Sequence, residues 1–360
     1  MLTLSLSMIV KNGEEHLAQT LECAKQFCDE LVVLDTGSTD RSIEIAKEHG
    51  AKVFHYEWID DFSAARNASL AHCTGDWIIW LDCGDVVPPL AIQGFLNIKR
   101  FLTENDGQFD FVWCNINRGI TDEGEVVFRF NTPRLLRRKP GLRWVGAVHE
   151  YVEGSNERAM LNAEAWVDDP LAMKNAPTDR NIKILRRLLD EGDVSTRTAF
   201  YYANELRDHK RWEEAIAAYN HFLEMDYHSW EYYDALISLA TCYRSLEKHE
   251  EAVDCYLRAI KFDPTRAEAW VGMGDVCFDY QRFVQAIPFY KAAMEAVRPL
   301  EGFVLETCYS WLPYDRVAVC YGNVGRLDDA ITTTIEALKT CPERERLLTN
   351  LRHYYEAKSR

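Results

Sequence analysis

The chain has 360 residues, 47% of them hydrophobic and 12% aromatic, and a formal net charge of −16. That composition describes folded globular protein with enough core for two domains, and excludes an intrinsically disordered one. The acidic balance argues against a general binder of nucleic-acid backbones.

The elements begin with four short apolar runs, LSLSMIV (4–10), ELVVLD (30–35), AKVFHY (51–56) and WIIWLD (77–82). Rich in Val, Ile, Leu and aromatics, they read as buried strands. Helical stretches at Glu14–Phe27 and Asp40–His49 separate them, so the order is β-α-β-α-β. In an open parallel sheet the ligand crevice lies beyond the carboxyl ends of the strands. Asp35, Asp82 and Asp85 all fall at such ends. Three carboxylates then share one edge, where a nucleotide diphosphate and its metal would sit.

SMIVKNGEEHL, LVVLDTGSTDRSIEIAKEHGAKV, WIDDFSAARNASLAHCTGDWIIWLDCGD and RWVGAVHE cover most of residues 1–150. In this order they resemble the family 2 glycosyltransferases of the GT-A fold, in the bacterial branch that continues into tetratricopeptide repeats. The resemblance implies an inverting transferase that moves a hexosyl or N-acetylhexosaminyl group from a nucleotide sugar, UDP-linked by expectation. The acceptor would be a peptide, protein or glycan. It puts Asp35 at the pyrimidine–ribose site, with Lys11, Asn12, Glu14 and Glu15 close by. Arg66 would face the diphosphate, since a guanidinium grips phosphate with two parallel bonds; otherwise it is a helix-surface Arg paired with Asp60 or Asp61. Trp144 would stack on a sugar, or else is a buried strand Trp.

Hard carboxylate ligands suit Mn²⁺ or Mg²⁺, and Asp82 and Asp85 are the candidates. The family's Asp-x-Asp is here Asp82-Cys83-Gly84-Asp85, so the usual second Asp is Gly84. His149 resembles the family's His that completes the metal shell, and its neighbour Glu150 is the candidate general base. Glu150 reads alternatively as an ion-paired structural residue. The cluster Arg134, Arg137, Arg138, Lys139 and Arg143 is either a solvated loop or a patch beside an anionic donor.

The second half changes character. Ala240 and Gly274, Ala252 and Ala286, and Ala259 and Ala293 are each 34 residues apart, the period of tetratricopeptide helix pairs. Earlier and later units fit at Ala203, Ala215 and Tyr219, and at Ala318, Ala330, Ala337 and Pro342. About ten extra residues lie near Arg298–Ser310, because Ala286 and Ala330 are 44 apart. The expected organisation is a mostly parallel, Rossmann-like α/β domain at 1–167, a linker at 168–178, and an all-α repeat domain at 179–360. About four helix pairs, following a helix from Asp179 to Glu191, would form a short right-handed solenoid that aids acceptor binding or homo-oligomerisation.

Eleven Cys without a CxxC pair do not form a disulfide framework or a zinc site. With no leader pattern and no run near the roughly 20 residues that span a bilayer, the expectation is a cytoplasmic protein. A competing class is an interaction scaffold whose GT-A domain is vestigial, favoured by Gly84 alone.

Overall fold

The computed structural model describes residues 1–359, except 121–125, 155–157, 172–177, 226–228, 300–301 and 342–343. Most of the expected linker and Pro342 therefore lie outside the described residues. The chain divides into two compact units, 1–120 with 129–187, and 121–128 with 188–360.

The first unit opens with β1 (Leu4–Val10), α1 (Leu17–Ala24), β2 (Glu30–Asp35), α2 (Ser42–Glu48), β3 (Lys52–His55), α3 (Phe62–Ala71) and β4 (Trp77–Trp80). It continues with α4 (Pro89–Glu104), β5 (Phe111–Ile120), β6 (Val126–Arg137), β7 (Arg143–Val145), β8 (Tyr151–Glu153) and β9 (Ala159–Asp169). The main sheet runs β3-β2-β1-β4-β6-β5-β9. The first four strands are parallel, β6 runs antiparallel to β4, and β9 is parallel to β5. β7 and β8 form a separate antiparallel pair.

Both faces of β1 are covered. Leu4, Leu6, Met8 and Val10 point into the main core with Leu17, Leu21, Ile79 and Phe95. Ser5 and Ser7 are buried as well, and Ser7 Oγ bonds Ser69 Oγ of α3 at 2.8 Å. Small side chains let α3 lie close over the strand, and each hydroxyl keeps a partner, which a buried polar group needs. Gly94 of α4 serves the same end: a Cβ there would stand 2.2 Å from the Glu164 carbonyl oxygen of β9.

Asp168 and Asp169, expected in the linker, are the last residues of β9. A strand prevails over the Asp-Asp-Pro turn signal because both residues pair with β5, Asn117 with Asp168 and Arg118 with Asp169.

In α5 (Arg180–Asp190) the boundary between the units falls after Arg187. The second unit then pairs α6 (Thr196–Asp208) with α7 (Trp212–Glu224), α8 (Trp230–Ser245) with α9 (His249–Phe262), and α10 (Ala267–Asp279) with α11 (Phe283–Met294). α12 (Leu312–Asn323) pairs with α13 (Leu327–Ala337), and α14 (Arg344–Lys358) follows. Among the described residues the second unit thus holds four such pairs. The period has a steric basis: Gly272 and Gly274 face the rings of Tyr256 and Tyr290, where a Cβ would approach within 2.3 and 2.5 Å. The extra residues after α11 fold back on α8 and α10. Phe303 N–H donates to Asp234 at 3.0 Å, and Arg266 Nη2 donates to Phe303 O at 2.7 Å and to Asp234 at 3.0 Å. Among the described residues no helix is long and apolar enough to cross a membrane.

Candidate active site

Val10, Asp35 and His55 stand level at the carboxyl ends of β1, β2 and β3, and Asp82 follows β4 by two residues. The loops after β1 and β2 are laced together here. Asn12 Oδ1 accepts Thr39 N–H at 2.8 Å, Glu14 Oε2 accepts Arg41 N–H at 3.1 Å, and Glu14 N–H donates to Asp40 at 3.0 Å. Asn12 and Glu14 thus fix the loop's shape, while Lys11 is exposed.

Asp35 is buried and caps its own turn, accepting N–H bonds from Gly37 and Ser38 at 3.1 Å, with His55 Nδ1 at 3.3 Å. Burial opposes its ionisation, but the bonds from Ser38 and Gly37 prevail and hold its pKa below the ordinary carboxylate value.

The centre of the crevice is Arg66, from α3. Asp61 caps that helix by accepting Ala64 N–H at 2.9 Å. Arg66 is 7% exposed; its Nη2 donates to Asp82 Oδ1 at 2.8 Å and its Nε to Glu150 Oε1. It is therefore paired with neither Asp60 nor Asp61. Its guanidinium lies 4.7 Å from the Trp80 ring and 5.2 Å from the Trp144 ring, within cation–π range. Burial alone would lower its pKa; Asp82 and Glu150 outweigh it and raise the pKa.

Trp144 is buried on β7, edge-on to Trp80 at 5.2 Å, and walls Arg66. The sugar-stacking expectation does not fit that position. Asn67 brackets Trp144, accepting its N–H at 2.8 Å and donating to its carbonyl at 2.9 Å. This clamp holds the β7–β8 turn, with His149 and Glu150, against α3. His149 is half-buried with φ +53°.

The two motif carboxylates differ. Asp82's side chain is 52% exposed, whereas Asp85 is 3% exposed. Gly84, at φ +106°, turns the loop so that Asp85 points back. Asp85 Oδ2 accepts Asp82 N–H at 2.9 Å and Arg134 Nη1 at 3.2 Å. Burial pushes Asp85 up to about 7, with Asp82's charge adding and Arg134 opposing. Asp82 is lowered, because Arg66 and then Arg134 overcome its desolvation. Asp85 thus acts as a buried support for Asp82 and does not fit direct ligation of an ion. Among the described residues no group of three or more His, Cys, Asp or Glu is arranged to hold a metal.

The basic cluster disperses. Arg134 alone is buried at the site, 3.7 Å from the Trp80 ring. Arg137, Lys139 and Arg143 pair with Asp106, Asp110 and Glu153, and Arg138 caps Gly75 O. Asn67 and Trp80 were not singled out from sequence, and Arg134 was read only as one of a basic cluster. Asn67 sits inside the SAARN motif, but only the fold brings Trp144 to it.

The first unit is thus a mostly parallel α/β sheet with carboxylates and a buried guanidinium along its carboxyl edge. Residues 5–140 match the model of glycosyl transferase family 2, and residues 233–266 match that of the tetratricopeptide repeat. The chain carries a family 2 glycosyltransferase domain followed by tetratricopeptide helices. It is 39% identical over 155 residues to a TPR repeat-containing protein of Synechococcus elongatus, covering 43% of this chain and 36% of that one. It is 24% identical over 223 residues to the SPbeta prophage-derived glycosyltransferase SunS of Bacillus subtilis, covering 59% and 51%. The chain thus spans between about a third and about half the length of these relatives. The solved structure of MamA covers 44% of this chain and 84% of its own, at 22% identity and a TM-score of 0.37.

Proposed function

We propose that the chain transfers a hexosyl or N-acetylhexosaminyl group from a nucleotide sugar, UDP-linked, to a peptide, protein or glycan acceptor, with inversion. The observation that carries this reading is Arg66, buried between Asp82 and Glu150 at the sheet's carboxyl edge. A leaving diphosphate accumulates charge, and a preorganised guanidinium in a water-poor site stabilises it. Arg66 already makes two charge-assisted bonds, so the diphosphate would exchange with a carboxylate rather than enter an empty cationic pocket. Inversion needs one displacement and one carboxylate base, with no nucleophilic carboxylate.

The metal expectation narrows to Asp82. Mg²⁺ and related ions keep several waters and bind through one or two carboxylates plus substrate phosphates. One half-exposed carboxylate at a strand end suits that mode, and such an ion would neutralise the diphosphate. The repeats would capture the acceptor or a second copy.

The commitment of Asp85 to Arg134 favours the alternative, a scaffold with a degenerate transferase domain. Titration calorimetry with UDP, ADP and GDP, followed by a nucleotide-sugar screen for diphosphate release with Mn²⁺, decides between them. Binding of UDP above the other two and release from a UDP-sugar are expected. Absence of any nucleotide binding would leave the scaffold.

A further inference from the structure

Glu150 is bonded to Arg66 and its side chain is 10% exposed, which commits it to the guanidinium and favours another carboxylate as the acceptor's base. The carboxyl end of β9 supplies one beside the crevice. Val86 and Asp168 exchange backbone hydrogen bonds of 2.8 Å in both directions, which pins the end of β9 to the residue after Asp85. Asp168 Oδ1 accepts Asn117 Nδ2 at 2.7 Å, and Asn117 Oδ1 accepts Arg129 Nε at 2.8 Å. Beside this line Arg118 Nε donates to Asp169 at 3.0 Å.

We propose that Asp168 is the catalytic base for the acceptor, with Asn117 as the residue that positions its carboxylate. This rests on the glycosyl-transfer reading. The acceptor O–H gives its proton to the Asp168 carboxylate while its oxygen bonds to the sugar's anomeric carbon. The bond from that carbon to the diphosphate oxygen breaks, and its electron pair leaves with the diphosphate. Asn117 and Trp166 donate to the Asp168 carboxylate, whose four lone-pair positions leave room for the proton. Burial raises Asp168's pKa against the opposing effects of Asn117 and Arg129, which brings the carboxylate nearer the basicity a base at neutral pH needs.

The test uses the full chain and UDP-sugar hydrolysis, in which water is the nucleophile, so no natural acceptor is required. Asp168→Asn is expected to lower kcat by about 10²-fold or more, with donor KM unchanged and the rising limb of the pH profile lost. Asp168→Ala is expected to regain part of its rate from added formate, which a structural role would not produce. Glu150→Gln is expected to act on donor KM through Arg66. The assignment is overturned if Asp168→Asn stays within about threefold of wild type, or if Glu150→Gln alone removes the pH limb. Wild type that neither binds UDP nor hydrolyses a UDP-sugar overturns the glycosyl-transfer reading, and this assignment with it.

Discussion

Asp85 accepts the backbone N–H of Asp82 at 2.9 Å, so the second carboxylate of the motif braces the first. Asp82→Asn is expected to remove most turnover, about 10²-fold or more in kcat/KM. Asp85→Asn removes a carboxylate oxygen that accepts both Asp82 N–H and Arg134 Nη1, bonds whose loss in a buried place destabilises. Its main signature is a fall in Tm with a smaller loss of rate. Parallel kinetics and thermal unfolding check this; equal rate losses with no change in Tm would contradict it.

Arg66 holds Asp82 and Glu150 through two different nitrogens. Lysine keeps the charge but lacks the planar fork. Arg66→Lys is expected to weaken UDP binding and to lower turnover by at least about tenfold. Calorimetry and steady-state rates measure both, and wild-type values in the variant would remove Arg66 from the diphosphate site.

With Asp82 as the one exposed motif carboxylate, the ion depends on the donor's phosphates. Mn²⁺ affinity measured by calorimetry should be weak for the free protein and rise when UDP is present. EDTA should then suppress UDP-sugar turnover. Tight Mn²⁺ binding without UDP would contradict the single-carboxylate site.

Glu30 lies at the opposite end of β2 from Asp35. Burial opposes its charge, but Lys52 at 2.6 Å, Ser5, and Thr74 N–H at 2.7 Å bring its pKa down to about 2. A depressed carboxyl contributes stability above its unfolded value near 4.5, and that contribution is lost as pH falls through about 2. Glu30→Gln should therefore cost roughly 3 kcal/mol at pH 7. The gap to wild type should close between pH 4.5 and 2, as followed by chemical denaturation. A gap that persisted at pH 2 would refute the ionic origin. Turnover should be unaffected, because Glu30 is remote from the crevice.

Gly272→Ala puts a Cβ 2.3 Å from the Tyr256 ring. Overpacking of this kind costs about 1–3 kcal/mol, and thermal unfolding should register the drop. An unchanged Tm would mean that α9 and α10 tolerate a wider spacing.

Much of the architecture was legible because it rests on local chemistry. Buried parallel strands need uninterrupted apolar residues, and β1, β2 and β4 carry them. Helix pairs at fixed spacing need small residues opposite aromatics, and the 34-residue period records that need directly. Motif order was enough for the family, and the strand ends were enough to put Asp35 and Asp82 on one edge.

Which way each polar side chain turned was not legible. Asp82 and Asp85 look alike in the sequence; Gly84's positive φ and the distant Arg134 make one exposed and the other buried. Glu150 as base and Arg66 as phosphate ligand were separate expectations until α3 and the β7–β8 turn met and joined them across 84 residues. Asp168 carries the composition of a linker, and pairing with β5 made it a strand end beside the crevice. Periodicity and motif order are properties of neighbours along the chain, so the sequence by itself determines them. Charge partners are drawn from whatever the sheet brings within hydrogen-bond reach, and only the tertiary structure decides those.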